Sequence, residues 1–324
     1  VKRAAAVALL GLLAACGGED AVTPTCDAVA CLERTLTGHT QRVTSVAFTR
    51  DSLSVVTGSV DGTVRLWTVA DGLPQRTFTS DSTPVLSVAV APDGALIAGG
   101  TESARVQLWR TADGVLVRSL DEASFGITSL AFSSDGRTLL AASNDHKVRL
   151  YDIDSGRLLQ ALDAHAAPVD EVALSQDEHA FATAGGILDA RVRLWAFPAG
   201  TDLWTGRSAT ETAYWSLAFA PNGVELAAGG TFGDIHLYSV ADGHELRTLT
   251  AGDGVIESLA YSPDGLRLFA TEGDNVRVLD PASGSSLGLL AGHTGIVFSL
   301  AVSRDGTRLA SASDDGTARL WSLD

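Results

Sequence analysis

His39, Ser59 and Asp61 are the residue types of a nucleophilic triad, and His293, Ser313 and Asp315 repeat them at the same spacing. In a hydrolase the imidazole would take the serine proton while the carboxylate held the ring. A catalytic triad is built once per active site. These sets instead recur in one sequence phase, each followed by a tryptophan, Trp67 or Trp321. The duplication points to a structural network, because a buried indole N–H, hydroxyl and imidazole each need a partner. Gly284-Ser285-Ser286-Leu287-Gly288 fits Gly-x-Ser-x-Gly, but that motif needs a strand-to-helix elbow and here it falls on a hairpin turn. No phosphate-binding loop or dinucleotide fingerprint occurs, so no cofactor is expected. His39, His165 and His293 lie about three repeats apart, and His146, His179, His236 and His244 form no ligand-spaced pair, so no metal site is expected.

The elements that position these residues are set by a repeat. Trp67, Trp109, Tyr151, Trp195, Tyr238, Leu279 and Trp321 close short alternating runs at intervals of 41 to 44 residues. Within each unit, a strand such as Val43-Thr44-Ser45-Val46-Ala47-Phe48 leads to a turn rich in Pro, Asp and Gly, as at Ala91-Pro92-Asp93-Gly94. Asp and Asn tolerate left-handed dihedrals and Gly takes them freely, so these turns are hairpin signals. A second strand, a tight turn such as Asp315-Gly316, a third strand and a fourth run such as Leu246-Arg247-Thr248-Leu249 complete the unit. A four-stranded unit of this size cannot bury its own apolar face and must stack on copies of itself.

The chain resembles the WD40-repeat β-propellers over residues 32–324, through Gly38-His39, Ala164-His165, Gly292-His293, the Asp-Gly turns and the aromatic strand ends. No literal Trp-Asp dipeptide is present, the nearest being Tyr151-Asp152 and Leu279-Asp280, and units 5 and 6 lack the His and the regular turn. The expected fold is all-β, a seven-bladed propeller of four-stranded antiparallel blades. The last unit ends after its third strand, and Leu32-Glu33-Arg34-Thr35-Leu36-Thr37 reads as a fourth strand, so the N-terminal strand is expected to close the ring. The resemblance implies that His39, Ser59, Asp61 and Trp67, and likewise His293, Ser313, Asp315 and Trp321, form hydrogen-bonded networks in the first and last blades.

It also implies a binding face at the Gly-His and Asp-Gly turns. Carried onto this sequence, the family's binding positions are Arg42, Thr44, Leu86, Glu102, Thr128, Asn144, Asp170, Trp215, Glu257, Glu272, Phe298 and Asp314. Trp215 and Phe298 stand where other repeats carry Thr, and exposed aromatics are frequent interface anchors; in the mouth of a ring they serve equally as packing. The carboxylates beside them suit a basic protein or peptide. Two extra residues in unit 4 place Ile187-Leu188 at a loop tip, which suits contact with a partner or the next blade.

Before the repeats, residues 1–15 read as a lipoprotein signal peptide: Lys2-Arg3, an apolar stretch from Ala4 to Leu13, then Leu13-Ala14-Ala15-Cys16 resembling a lipobox. Cys16 would carry the lipid, residues 16–31 would form a polar tether, and the protein would be exported and anchored in a bacterial envelope. Gly17 leans toward the outer membrane, and the expected location is outer membrane, periplasmic or cell-surface. Cys26 and Cys31 would form a disulfide in an oxidising compartment or remain free thiols; the segment has too few ligands for zinc. Loss of residues 1–15 takes the formal net charge from −16 to −18, which argues against nucleic acid as a partner. The function expected is a monomeric, non-catalytic scaffold, with an exported propeller enzyme or a structural envelope component as the alternatives.

Overall fold

The computed structural model describes residues 29–207 and 213–323, and every regular element within them is a β-strand. The 28 strands form seven four-stranded antiparallel sheets arranged as blades around an axis. The innermost strands of blades 1 to 7 are Val43–Phe48, Val85–Val90, Ile127–Phe132, Val169–Leu174, Tyr214–Phe219, Leu259–Tyr261 and Val297–Val302. Each starts at the top face, beside the tight turns such as Asp61-Gly62, and ends at the bottom face. Blade 6 is irregular, as its sequence suggested: its inner strand keeps three residues, and the Thr271 hydroxyl accepts the backbone N–H groups of Glu257 (2.8 Å) and Ser258 (3.1 Å) instead.

Period-two patterning explains the packing. Apolar side chains on each blade face interlock with the next blade, so the seven hydrophobic clusters lie at blade interfaces. Trp67, Trp109, Tyr151, Tyr238 and Leu279 are all 1% exposed and fill these interfaces.

The ring closes as the repeat pattern predicted. Cys31–Leu36 is the outer strand of blade 7, antiparallel to Ala318–Ser322, with Leu32 opposite Trp321 and Leu36 opposite Ala318. Glu33 pairs with Arg308 across this seam (2.8 Å). The boundary shifts slightly from the sequence reading: the strand starts at Cys31, and Ala30 is already buried against the core of blade 7, so both residues belong to the propeller. Cys31 is disulfide-bonded; Cys16, Cys26 and residues 1–28 as a whole lie outside the described residues.

The networks in the blades differ from the expected sets in one hydroxyl. In blade 1 the Trp67 indole donates to Thr57 Oγ1 (2.8 Å), which contacts His39 Nε2 (2.8 Å), while His39 Nδ1 meets Asp61 Oδ2 (2.9 Å). Because a carboxylate only accepts, Nδ1 carries the proton shared with Asp61. Burial holds the ring's pKa below the ordinary value despite the pull of Asp61 and so favours the neutral imidazole, whose Nε2 accepts from Thr57. Ser59 does not take Thr57's place. Two residues nearer the tight turn, its hydroxyl is taken up by backbone groups, donating to Arg42 O (2.9 Å) and accepting from Asp61 N (3.1 Å). Blade 7 repeats this arrangement with Ser311 between His293 and Trp321, and Ser313 bonding Gly295 O.

Blade 4 holds a third network that the spacing concealed. His165 meets Asp189 and the Thr183 hydroxyl (2.8 Å), and Trp195 donates to Thr183 (2.9 Å). The two added turn residues move the aspartate from 22 to 24 positions after the histidine. These networks therefore stand in blades 1, 4 and 7, not only beside the seam. Gly185 makes room for this one, since a Cβ there would collide with His165 and lie 2.7 Å from Asp189 Oδ2. Gly185→Ala should destabilise the ring by about 2 kcal/mol through strain and a displaced network. Thermal melting checks this, and an unchanged midpoint would contradict it.

Candidate binding site at the axial mouth

The second residue of each inner-strand segment forms a ring around the top of the axis: Thr44, Leu86, Thr128, Asp170, Trp215, Glu257 and Phe298. Its two arcs are built differently. On blades 1 and 3, Thr44 and Thr128 donate to the carbonyls of Val85 (2.7 Å) and Val169 (2.5 Å), fastening each blade to the next. On blades 4 to 7 the ring alternates carboxylate, aromatic, carboxylate, aromatic. Asp170, Trp215, Glu257 and Phe298 line a cavity of about 260 Å³ with Thr44 and Arg42, all six of them residues expected at the binding face. The Arg42 guanidinium lies 5.8 Å from the centre of the Phe298 ring.

Two polar atoms at this mouth are left over. Asp170 Oδ2 and the Trp215 indole nitrogen are buried and have no hydrogen-bond partner. A Cβ on Gly186 would lie 2.5 Å from Asp170 Oδ2, so that glycine leaves room for the carboxyl group. Burial, and then the charge of Glu257, push Asp170 up to about 7. Burial also raises Glu257 above the ordinary carboxylate range.

One layer deeper the ring is Ser45, Ser87, Ser129, Glu171, Ser216, Ser258 and Ser299. Its serines act as staples between blades: Ser45 accepts Val88 N (3.0 Å), Ser216 accepts Leu259 N (2.7 Å), Ser258 accepts Leu300 N (3.0 Å) and Ser299 accepts Val46 N (3.2 Å). Glu171 replaces serine in blade 4 and does the same job through its longer arm, accepting Leu217 N at 2.6 Å. Burial pushes Glu171 up to about 7, with Asp170 adding to the rise and the hydrogen bonds from Leu217 and Ser216 opposing it. Glu171 and these neighbours line a narrower cavity of about 110 Å³ that reaches residues of all seven blades.

The remaining expected positions fall elsewhere. Leu86 and Thr128 line only this narrower part. Asp314 and Glu102 are exposed at their turns and line neither cavity, and Glu272 is held by Arg277 (2.7 Å). Asn144 is fixed at a turn by its own backbone, its N–H donating to Gly126 O (2.9 Å). Around the mouth, the top face carries Phe125 (62% exposed), Ile187 (67%), Leu188 (85%) and Phe232 (68%) on blades 3, 4 and 5. Ile187-Leu188 is thus open to solvent. Glu171 was missed from sequence, although its signal was present: it is the one position in that phase where six repeats carry serine and one does not. Among the described residues, no group of three or more His, Cys, Asp or Glu is placed to hold a metal ion.

Seven four-stranded blades closed around an axis, with an open mouth lined from every blade, define a β-propeller. Residues 30–68 and 284–322 match the family described as WD domain, G-beta repeat, and residues 88–177 match the Anaphase-promoting complex subunit 4 WD40 domain. Each of the two shorter matches runs from an outer strand through the three inner strands of the following blade. The matches support a WD40 propeller, a class whose members are generally non-catalytic scaffolds that bind proteins or peptides. No curated protein matches the chain.

Proposed function

We propose that this protein is a non-catalytic scaffold that binds a protein or peptide at the top axial mouth, held to a bacterial envelope by a lipid on Cys16. The observation that carries this reading is the arc Asp170, Trp215, Glu257 and Phe298. Among the described residues, the side chains that four consecutive blades present there make no hydrogen bond to a neighbouring blade, whereas the opposite arc uses its threonines as staples. The exposed apolar residues on blades 3 to 5 extend the surface outward, as an interface with an apolar centre requires. The chain enters the propeller at the bottom: Cys31 is opposite Ser322, and the next residue, Leu323, bonds Thr307 O in a bottom turn. An N-terminal anchor on that side would leave the mouth facing away from the membrane.

The test is affinity capture from detergent-solubilised envelope with residues 26–324, beside a Trp215→Ala, Phe298→Ala double variant. A protein retained by the first and lost by the second is the expected result. Equal retention by both would remove the mouth from the account. If two folded baits retain nothing, the scaffold reading fails.

A further inference from the structure

Resting on that reading of the mouth, we propose that the axial slot receives one cationic side chain, a lysine or arginine of the partner, with Glu171 at its inner end. The alternating arc sets two aromatic rings and two carboxylates at one level on one side of the mouth, groups that both attract a cation. The chain supplies its own demonstration, since Arg42 already lays its guanidinium against Phe298. Below this level the cavity narrows to about 110 Å³, the scale of one extended side chain. There the single departure from a repeated serine adds a carboxylate to the lining.

Glu171 performs the serine's structural task, so stapling alone does not account for its charge. The groups facing it are Asp170 from its own strand and Ser216 and Leu217 from blade 5; Glu257 faces Asp170 from blade 6. Neither Asp170 nor Glu171 has an ion-pair partner among the described residues. An incoming ammonium or guanidinium group would supply the missing charge, and Arg42 is then an internal competitor at the outer end of the slot. The apolar side chains on blades 3 to 5 would hold the residues flanking that cation.

The probe is a capped pentapeptide, Ala-Ala-Lys-Ala-Ala, compared with its acetyl-lysine form and followed by the Trp215 indole N–H signal in nuclear magnetic resonance. Trp215→Phe identifies that signal among the indoles. The lysine peptide should shift it saturably, and the acetylated peptide should bind at least about tenfold more weakly. Affinity should rise from about pH 6 to about pH 8 as the mouth carboxylates ionise. Glu171→Gln keeps an acceptor for Leu217 N–H and should flatten that rise; Glu171→Ser restores the residue of the other six repeats and should fold and bind weakly. Arg42→Ala should tighten binding. Equal binding of the two peptides, or no shift by either at about 50 mM, a concentration that reveals even very weak sites, overturns the proposal. A protein captured through Trp215 and Phe298 yet indifferent to Glu171→Gln also overturns the cation, while leaving the scaffold reading in place.

Discussion

Deleting residues 1–36 lowers the melting temperature of the entire ring by more than about 10 °C, because it removes the outer strand of the last blade. Leu32 and Leu36 are 8% and 1% exposed in that strand, and each should contribute about 2 kcal/mol of apolar burial. The backbone ladder to Ala318–Ser322 is lost as well, and the core of blade 7 opens around Leu309, Trp321 and Leu323. The Glu33–Arg308 pair adds little, since both partners remain partly wet. Each blade packs on two neighbours, so the loss should spread cooperatively around the ring. A single calorimetric transition shifted downward is the expected trace. An unchanged midpoint would mean that the seam is held elsewhere.

Thr57→Ala is the second large effect. The substitution leaves the Trp67 indole and His39 Nε2 buried without partners, at a cost of about 3 kcal/mol. Asp61→Ala should cost a similar amount, because Asp61 accepts from His39, from the backbone N–H groups of Thr40 (3.0 Å) and Thr63 (2.9 Å), and from the Thr63 hydroxyl (2.6 Å). Ser59→Ala should cost less, about 1 kcal/mol, since Ser59 lies outside the imidazole–indole chain. Chemical denaturation of the three variants ranks them directly; Ser59→Ala emerging as the most damaging would contradict the network drawn here.

The same network predicts an acid response. Burial depresses His39, His165 and His293, so the unfolded chain binds protons that the folded chain refuses as pH falls below about 6.5. Stability from these groups is thus complete above that pH and declines below it. Burial works against the ionised Asp61, but hydrogen bonds from Thr63, Thr40 and His39 outweigh it and hold Asp61 down to about 2, so its contribution is complete above the ordinary carboxylate pKa and is lost as pH falls from there through about 2. Asp170 and Glu171 act in the opposite sense. Both are raised to about 7, so the mouth costs stability as pH rises from the unfolded carboxylate range through neutrality.

The architecture was legible because seven copies of one unit average out local ambiguity. The strand ends at Trp67, Trp109, Tyr151, Trp195, Tyr238, Leu279 and Trp321 are all buried third-strand residues, and the closing strand was visible as an extra fourth-strand sequence. Half of the mouth was legible too, from aromatics standing where other units carry Thr. What escaped the sequence was position along the strand and phase. Ser59 and Thr57 are alternate residues of one strand before the tight turn; Thr57 reaches the imidazole and indole, whereas Ser59 is taken up by backbone groups of the turn. Blade 4 hid its network because two inserted residues shifted Asp189 out of register, although His165, Thr183 and Trp195 were all in the chain. Glu171 escaped because its significance is a departure from a serine ring, visible only once the role of that ring as inter-blade staples is known.

Placement of the partner at the top mouth is the central claim, and site-specific photocrosslinking measures it most directly. One chain would carry a photoreactive residue in place of Trp215 and another in place of Arg304 on the bottom face, each exposed to the fraction retained by the unmodified protein. An adduct from position 215 and none from position 304 is the expected result. Adducts from position 304 alone would put the partner on the opposite face and contradict it.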